Sequence, residues 1–218
     1  MRKNGVERYW SRFSRSYDRD GTYVVGQPIL QAIERTLVQE RGLGRVVEFG
    51  CGTGYWTRAI AGNAQCVLAT DLSDAMLEVA QHQLAGFDNV WIQKADCARA
   101  PFRRDGFDCA LMANLLHVID YPSRCLQETY RILREGGVLL AVDLTSFGMK
   151  ASRRARLGLR YLRTWGLPPR QGRDSMSPAE LMGLVEGAGF TAEDVRLIES
   201  SSNAVYLRGR KELGNCQD

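Results

Sequence analysis

Cysteine and histidine, the side chains that build disulfide frameworks and metal sites, are few and scattered in this chain. There is no C-x-x-C pair, and the two histidines, His82 and His117, share no metal-ligand spacing with the cysteines. The six cysteines are Cys51, Cys66, Cys97, Cys109, Cys125 and Cys216. Four of them stand in apolar stretches, where a free cysteine acts as a small buried hydrophobe. We therefore expect no metal site and a reducing, cytoplasmic compartment.

Long apolar runs and a strong charge imbalance are also missing. No stretch of about 18 apolar residues could span a bilayer, and polar and aromatic residues follow Met1 where a signal peptide would be apolar. A formal net charge of +4 over 218 residues does not by itself indicate nucleic-acid binding. The length and composition predict one globular domain, or one domain with a lid.

What the chain does contain is an alternation of apolar strands and amphipathic helices. Nearly continuous apolar runs, such as 46–49 and 138–142, are typical of parallel strands that helices cover on both faces. The last two strands are joined by 200–203, which is too short for a parallel crossover and therefore predicts an antiparallel hairpin. The predicted strands are 45–49, 65–70, 90–94, 107–113, 137–144, 195–199 and 204–208, and the helices between them lie near 55–61, 73–84 and 122–134.

A glycine-rich turn follows the first strand, with the sequence Glu48-Phe49-Gly50-Cys51-Gly52-Thr53-Gly54. Glycines allow positive φ and let a ligand approach without a Cβ in the way. Asp71 ends the next apolar run, at the sheet edge where open α/β folds bind ligands, and can accept hydrogen bonds from both ribose hydroxyls. Together these features predict an adenosine site. A nicotinamide dinucleotide site would need G-x-G-x-x-G, whereas this chain has Tyr55 at the third glycine.

Four motifs in this order resemble those of the class I S-adenosylmethionine-dependent methyltransferases. Glu48-x-Gly50-x-Gly52-x-Gly54 is similar to their first motif, Asp71-Leu72-Ser73 with Met76 to the second, and Ala95-Asp96-Cys97 with Pro101-Phe102 to the third. The run 130–137 resembles their R-x-L-K-P-G-G turn, with Glu135 in place of proline. Ser16-Tyr17-Asp18 resembles the branch that contains ubiquinone/menaquinone-biosynthesis methyltransferases and many small-molecule relatives.

The resemblance implies a Rossmann-like, doubly wound, mostly parallel seven-stranded sheet with a C-terminal antiparallel hairpin and helices on both faces. It also implies S-adenosylmethionine as the cofactor and S-adenosylhomocysteine as its product. Asp71 would bind the ribose, Asp96 the adenine amino group, and Tyr17 would close over the cofactor. The expected cofactor-binding residues are Tyr17, Glu48, Gly50, Cys51, Gly52, Gly54, Asp71, Leu72, Met76, Asp96, Cys97 and Asn114.

The acceptor side of the reaction leaves more alternatives open. His117 follows the fourth strand, and it either removes a substrate proton or is a structural or solvent-facing histidine. The chain reads Ala113-Asn114-Leu115-Leu116 where methyltransferases of nucleobase or glutamine amino groups carry Asn/Asp-Pro-Pro-Tyr. We therefore expect O- or C-methylation of a small acceptor, anionic or lipophilic, and no nucleic-acid partner. A phospholipid head-group N-methyltransferase and a non-catalytic S-adenosylmethionine-binding protein are the alternatives.

Segment 150–163 carries six basic side chains and no acid. A helical wheel places Arg153, Arg156, Arg160 and Arg163 on one stripe, and Ala151, Ala155, Leu159 and Leu162 roughly opposite. Three interpretations follow: a solvated helix face, a lid over an anionic acceptor, or a peripheral contact with acidic lipid. In the lid interpretation the apolar side packs on the domain and the arginine stripe faces the acceptor.

These assignments divide a single expected domain into four parts. Trp10, Phe13 and Tyr17 have the spacing of one helix face in the first part, and Ser177 with Pro178 begins a helix in the last. The parts are an N-terminal helical cap (1–40), a cofactor-binding core (41–144), a basic helical insertion (145–175), and a C-terminal helix and hairpin (176–218).

Overall fold

Seven strands form one sheet in the computed structural model, which describes residues 5–167 and 175–213. They are β1 (Arg45–Phe49), β2 (Cys66–Asp71), β3 (Val90–Lys94), β4 (Phe107–Ala113), β5 (Leu133–Thr145), β6 (Phe190–Glu199) and β7 (Asn203–Lys211). The strand order is β3-β2-β1-β4-β5-β7-β6, in which β7 runs antiparallel to both β5 and β6 and all other pairs are parallel. The predicted Rossmann-like sheet with its antiparallel hairpin is therefore confirmed.

Helices cover both faces of the sheet. They are α1 (Gly5–Ser11), α2 (Tyr17–Val25), α3 (Gln27–Gln39), α4 (Tyr55–Ala61), α5 (Asp74–Gln83), α6 (Pro122–Ile132), α7 (Ala151–Trp165) and α8 (Pro178–Glu186), with a short 3-10 helix at Cys97–Arg99. Buried residues of α3, α4 and α7 pack on one face, and those of α6 and α8 pack on the other. The predicted cap of α8 is present, because Glu180 N–H donates to Ser177 Oγ while Ser177 N–H donates to the Glu180 carboxylate.

The prediction of one aromatic helix face at the N-terminus was wrong. The helix α1 ends at Ser11, a turn follows, and α2 begins at Tyr17. Two turns of continuous helix would separate Trp10 and Tyr17 by about 10 Å along the axis. The turn instead brings their rings into edge-to-face contact, with centroids 5.6 Å apart. Ring packing, which a spacing rule does not see, therefore overrides the helical pattern.

The predicted orientation of α7 was also wrong. Leu159 and Leu162, expected to pack on the domain, are 49% and 47% exposed. The buried side of the helix is formed instead by Leu157, Tyr161 and Trp165, which join the core on that face of the sheet. Two large aromatic rings bury more apolar area than two leucines, so they determine which side of the helix faces inward.

Cys216 lies outside the described residues, and the other five cysteines are free thiols. Within 5–167 and 175–213, no helix has the length and apolar character needed to cross a membrane. Over the same residues, no three His, Cys, Asp or Glu side chains come together in a way that would hold a metal ion.

Candidate functional site

The glycine turn after β1 has a backbone that side chains would obstruct. Gly50 and Gly52 have φ values of 68° and 55°, in the left-handed region. A Cβ on Gly50 would lie 2.7 Å from Leu115 Cδ1, whereas a Cβ on Gly52 would meet nothing within 4 Å. The turn therefore packs closely on one side and leaves open space at Gly52 on the other.

Two aspartates at the ends of neighbouring strands lie beside this turn. Asp71, at the end of β2, accepts hydrogen bonds from Gly52 N–H (3.0 Å) and Ser73 N–H (2.8 Å). Burial raises the pKa of Asp71, against the lowering effect of these two hydrogen bonds. Asp96, which follows β3, accepts a hydrogen bond from Ala98 N–H at 2.9 Å and so caps the 3-10 helix. Both carboxylates are thus fixed by backbone donors and keep lone pairs for a ligand.

Glu48 lies behind the turn and is fully buried. Its Oε2 accepts a hydrogen bond from Thr57 Oγ1, while its Oε1 has no partner among the described residues. Burial raises the pKa of Glu48 to about 7, an effect that the Thr57 hydrogen bond opposes and the nearby Asp71 reinforces. This carboxyl group is therefore part of the support of the loop and not of its surface.

A cavity of about 550 Å³ opens in front of the turn. Nine of the twelve predicted cofactor-binding residues line it: Tyr17, Gly50, Gly52, Asp71, Leu72, Met76, Asp96, Cys97 and Asn114. The other three, Glu48, Cys51 and Gly54, lie behind it; Glu48 and Cys51 are buried, and a Cβ on Gly54 would press against Leu84. We call this space the cofactor cavity.

The side chains of the cofactor cavity fit an adenosine-containing ligand. Asp71 and Asp96 present acceptors on adjacent strands, and Gly52 leaves its side of the cavity open. Glu7 of α1 also lines the cavity, and its buried Oε2 has no hydrogen-bond partner in the described part of the chain. A buried acceptor without a donor is costly, so a ligand hydroxyl or amino group would stabilise it.

A second cavity, of about 660 Å³, lies on the other side of Asn114. Much of its lining is apolar, with Val24, Val25, Leu144 and Leu157 among the contributors. Four residues line both cavities: Trp10, Tyr17, Asn114 and Val118. We call the second space the acceptor cavity, because it borders the cofactor cavity through this shared wall.

Aromatic side chains from the N-terminal helices and from α7 form a roof over the shared wall. The rings of Tyr17 and Trp165 stack with centroids 6.0 Å apart, and Trp10 packs edge-on against each of them. Asp18 ties this roof to the glycine turn, because Thr53 Oγ1 donates to it at 2.6 Å and Gln83 Nε2 at 3.0 Å. The N-terminal cap and α7 together therefore shield the junction of the two cavities.

His117 lines the acceptor cavity and is held by an aspartate that the sequence analysis missed. Its Nδ1 lies 2.7 Å from Oδ1 of Asp143, a residue of β5 whose side chain is fully buried. With Asp143 ionised, its Oδ1 accepts and Nδ1–H donates, so Nε2 is the nitrogen left free to take a proton. The arrangement can therefore take a proton from a molecule in the acceptor cavity.

Asn114 lines both cavities and has an unusual backbone conformation. Its φ is 57°, in the left-handed region that non-glycine residues seldom adopt. Its N–H donates to Val142 O at 2.7 Å, and its Oδ1 accepts from Leu144 N–H at 3.0 Å. Two hydrogen bonds to β5 thus maintain the strain, which is a common feature of functional sites.

Glu7, which lines the cofactor cavity, and Arg154, which lines the acceptor cavity, were not among the predicted site residues, and neither was Asp143, which contacts His117. Asp143 had a readable signal, because it is the one charged residue in the apolar run 138–144. An acid in a strand that is buried on both faces needs a partner, and His117 follows the neighbouring strand. Glu7 and Arg154 stand among other charged residues and carry no such signal.

Known proteins match this chain in the same region. Residues 47–141 match the family model described as a methyltransferase domain. A demethylmenaquinone methyltransferase from Clavibacter sepedonicus is 32% identical over 143 residues, covering 65% of this chain and 58% of the relative. A ubiquinone/menaquinone biosynthesis C-methyltransferase from a Marinomonas species is 34% identical over 107 residues, covering 46% and 42%. The chain thus spans about half the length of these relatives.

A solved S-adenosylmethionine-dependent methyltransferase from Thermotoga maritima has the same fold, with a TM-score of 0.72 at 23% identity over 95% of this chain and 100% of its own. The cofactor of this family is S-adenosylmethionine, for which the cofactor cavity has the fitting acceptors. Motifs and similarity together identify residues 47–141 as a methyltransferase domain. This region resembles the class I S-adenosylmethionine-dependent methyltransferases and, among them, the ubiquinone/menaquinone branch.

Proposed function

We propose that this protein transfers the methyl group of S-adenosylmethionine to an oxygen or carbon atom of a small, largely apolar acceptor. One observation carries the proposal: His117, paired with the buried Asp143, lines a largely apolar cavity that shares a wall with the cofactor cavity. A base is needed when the attacking atom is an O–H or an acidic C–H. The apolar lining favours an acceptor with a hydrophobic body.

The names of two relatives support an acceptor of the quinol type. One is named for demethylmenaquinone and the other for C-methylation in ubiquinone and menaquinone biosynthesis. A quinol ring has an acidic O–H and an adjacent ring carbon, so loss of one proton activates both atoms. The same base therefore suits O- and C-methylation, and the product distinguishes them.

The side chains divide the work of such a transfer. Bound S-adenosylmethionine supplies a methyl group that its sulfonium has already activated. Asp71, Asp96 and Glu7 would hold the cofactor by its hydroxyl and amino groups, since each lines the cofactor cavity with an acceptor oxygen. Nε2 of His117 would take the acceptor proton, and the buried Asp143 would orient the ring and stabilise the charge it gains.

The remaining contribution is alignment. Trp10, Tyr17 and Trp165 cover the junction and exclude water from it, which strengthens electrostatic interactions between the groups inside. Fixing both reactants against one wall also replaces a bimolecular encounter by a local displacement. Asn114, with its restrained backbone, would set the distance between the two ligands.

The proposal is tested by incubating the purified protein with S-adenosylmethionine and a panel of acceptors. The panel contains reduced naphthoquinols, simple phenols, phosphatidylethanolamine and a reaction without acceptor. We expect S-adenosylhomocysteine and a methylated quinol or phenol, identified by mass spectrometry. Methylation of phosphatidylethanolamine instead would favour the head-group N-methyltransferase, and cofactor binding without turnover on any acceptor would favour a non-catalytic role.

A further inference from the structure

The helix α7 presents a second face that the proposed reaction does not use. Its inner side, with Leu157, Gly158 and Tyr161, lines the acceptor cavity. Its outer side exposes two leucines between two arginines: Arg156, Leu159, Leu162 and Arg163. Leu159 and Leu162 are about half exposed, and Leu167, just beyond the helix, is 81% exposed. Large apolar side chains are thus exposed to solvent on the outer side of a helix whose inner side lines the acceptor cavity.

The charge of this face is uniformly positive. No acidic residue occurs between Asp143 and Asp174, while Lys150 and five arginines fall within 150–163. Within the part of the chain that the structure describes, none of these cations forms a salt bridge. Arg160 lies over the ring of Tyr23, 5.5 Å from its centroid, and that ring is itself 56% exposed. Among residues 5–167 and 175–213, the face therefore has no acidic partner in a salt bridge, and it includes an aromatic ring at its border.

We propose that the outer face of α7, defined as Arg156, Leu159, Leu162 and Arg163 with Tyr23 beside it, docks on the surface of an anionic lipid membrane. Leucines flanked by arginines suit an interfacial helix, because the apolar side chains enter the acyl boundary while the guanidinium groups remain at the phosphates. The exposed Tyr23 suits the head-group level. Charge of a single sign across this face favours an anionic surface as its partner.

The outer face of α7 lies next to the acceptor cavity, so a lipid contact there would bear on how the acceptor enters. The same helix lies between the outer face and the acceptor cavity, so docking would hold that cavity against the bilayer. An apolar acceptor dissolved in lipid could then reach the cavity without crossing water. This last step rests on the proposed function, whereas the lipid contact does not.

The contact is tested by co-sedimentation of the full chain with phosphatidylcholine vesicles that contain or lack phosphatidylserine, without cofactor or acceptor. We expect binding to the anionic vesicles only, and weaker binding as salt is raised, because surface charges are screened. Arg156→Gln with Arg163→Gln should weaken binding roughly 10- to 30-fold. Leu159→Ser with Leu162→Ser should also reduce it, at unchanged net charge.

Two matched controls distinguish binding by this face from the general effects of net charge and of exposed apolar side chains. Arg103→Gln with Arg104→Gln removes the same charge from an exposed loop before β4, at the opposite sheet edge. Val38→Ser with Met182→Ser removes exposed apolar side chains elsewhere. Both controls should bind like wild type, and S-adenosylhomocysteine affinity should show that every variant is folded.

Absence of wild-type binding to anionic vesicles would overturn the proposal, as would a control that loses as much binding as its partner variant. The test is independent of catalysis. If vesicle binding follows the predicted pattern while no acceptor is methylated, the lipid contact stands and the proposed function fails. If quinols are methylated but vesicles are not bound, the reverse holds.

Discussion

The cofactor cavity and the acceptor cavity are adjacent and similar in size, but different parts of the fold line them. Most residues that line the cofactor cavity lie within the matched domain, at or after the ends of β1, β2, β3 and β4, and four come from the N-terminal segment: Val6, Glu7, Trp10 and Tyr17. The acceptor cavity depends on α2, α7 and large aromatic rings from outside that domain. The first is thus bounded mainly by the carboxyl edge of the sheet, whereas the second is closed by helices that pack over that edge.

This difference has a functional consequence. A cavity formed by loop backbone can vary little without disturbing the sheet, so it suits the ligand that is common to the family. A cavity formed by helical side chains can change size and polarity residue by residue. The molecule therefore combines a constrained cofactor site with an adaptable acceptor site, and the four residues of the shared wall join them.

The largest effect that would separate the two cavities is expected at His117. His117→Gln keeps a polar side chain but removes the base, and should lower kcat by roughly 10²- to 10⁴-fold. Affinity for S-adenosylhomocysteine, measured by calorimetry, should remain that of wild type because His117 does not line the cofactor cavity. Asp143→Asn should lower kcat in the same direction. A His117→Gln enzyme with wild-type kcat would assign the histidine to structure alone.

The buried carboxyl group of Glu48, behind the glycine turn, should make the free energy of unfolding depend on pH. Its pKa is raised by burial to about 7 from 4.5, so the folded state holds the proton more tightly than the unfolded state. Such a group stabilises the fold below the unfolded pKa, and the contribution is lost as pH rises through about 7. Between pH 4.5 and about pH 7, the free energy of unfolding of wild type should fall by about 3 kcal/mol relative to that of Glu48→Gln. Urea unfolding at a series of pH values measures the difference, and parallel pH profiles would contradict it.

Asp71 should affect the cofactor alone. Asp71→Asn removes a charged acceptor from the cofactor cavity and should weaken S-adenosylhomocysteine binding by about 1–3 kcal/mol. Asp74→Asn provides the control, since Asp74 is exposed, pairs with Lys94 and does not line the cavity. Equal affinity for the two variants in titration calorimetry would remove Asp71 from the site.

The smallest expected effects come from substitutions at two glycines, one in the lining of each cavity. A Cβ on Gly52 or on Gly158 meets nothing within 4 Å, and these residues line the cofactor and the acceptor cavity respectively. Gly52→Ala should weaken cofactor binding about tenfold, and Gly158→Leu should raise the acceptor KM to a similar extent, each leaving the other ligand unchanged.

Backbone effects are controlled within the same chain. Gly42 also has positive φ with open space around it, so Gly42→Ala reproduces the left-handed strain of Gly52→Ala away from both cavities. Gly158→Ala adds helix propensity to α7 with little volume. If either control has the ligand effect of its partner, cavity filling is not the cause.

The sequence predicted the cofactor side well for a physical reason. Glycine turns and strand-end acids act through the backbone positions that they occupy, so a linear pattern such as Gly50-x-Gly52 with Asp71 carries its own geometry. Nine of the twelve residues expected there do line the cofactor cavity, and their contact with the cofactor stays a prediction.

The acceptor side could not be predicted in this way, because its residues meet only through tertiary packing. The stacking of Tyr17 on Trp165 joins α2 to α7 across nearly 150 residues of sequence, and no spacing rule covers that distance. The same packing turned α7 so that Leu159 faces solvent and Leu157 faces the core. The pairing of His117 with Asp143 depends likewise on β4 and β5 being neighbours.

The claim that one cavity holds the cofactor and the other the acceptor is tested most directly by a crystal structure with S-adenosylhomocysteine bound. We predict that its adenosine lies beside Asp71 and Asp96 and that its sulfur lies at the shared wall, near Asn114 and Tyr17, with His117 on the far side. A ligand found in the acceptor cavity, or with its sulfur directed away from Asn114, would contradict this account.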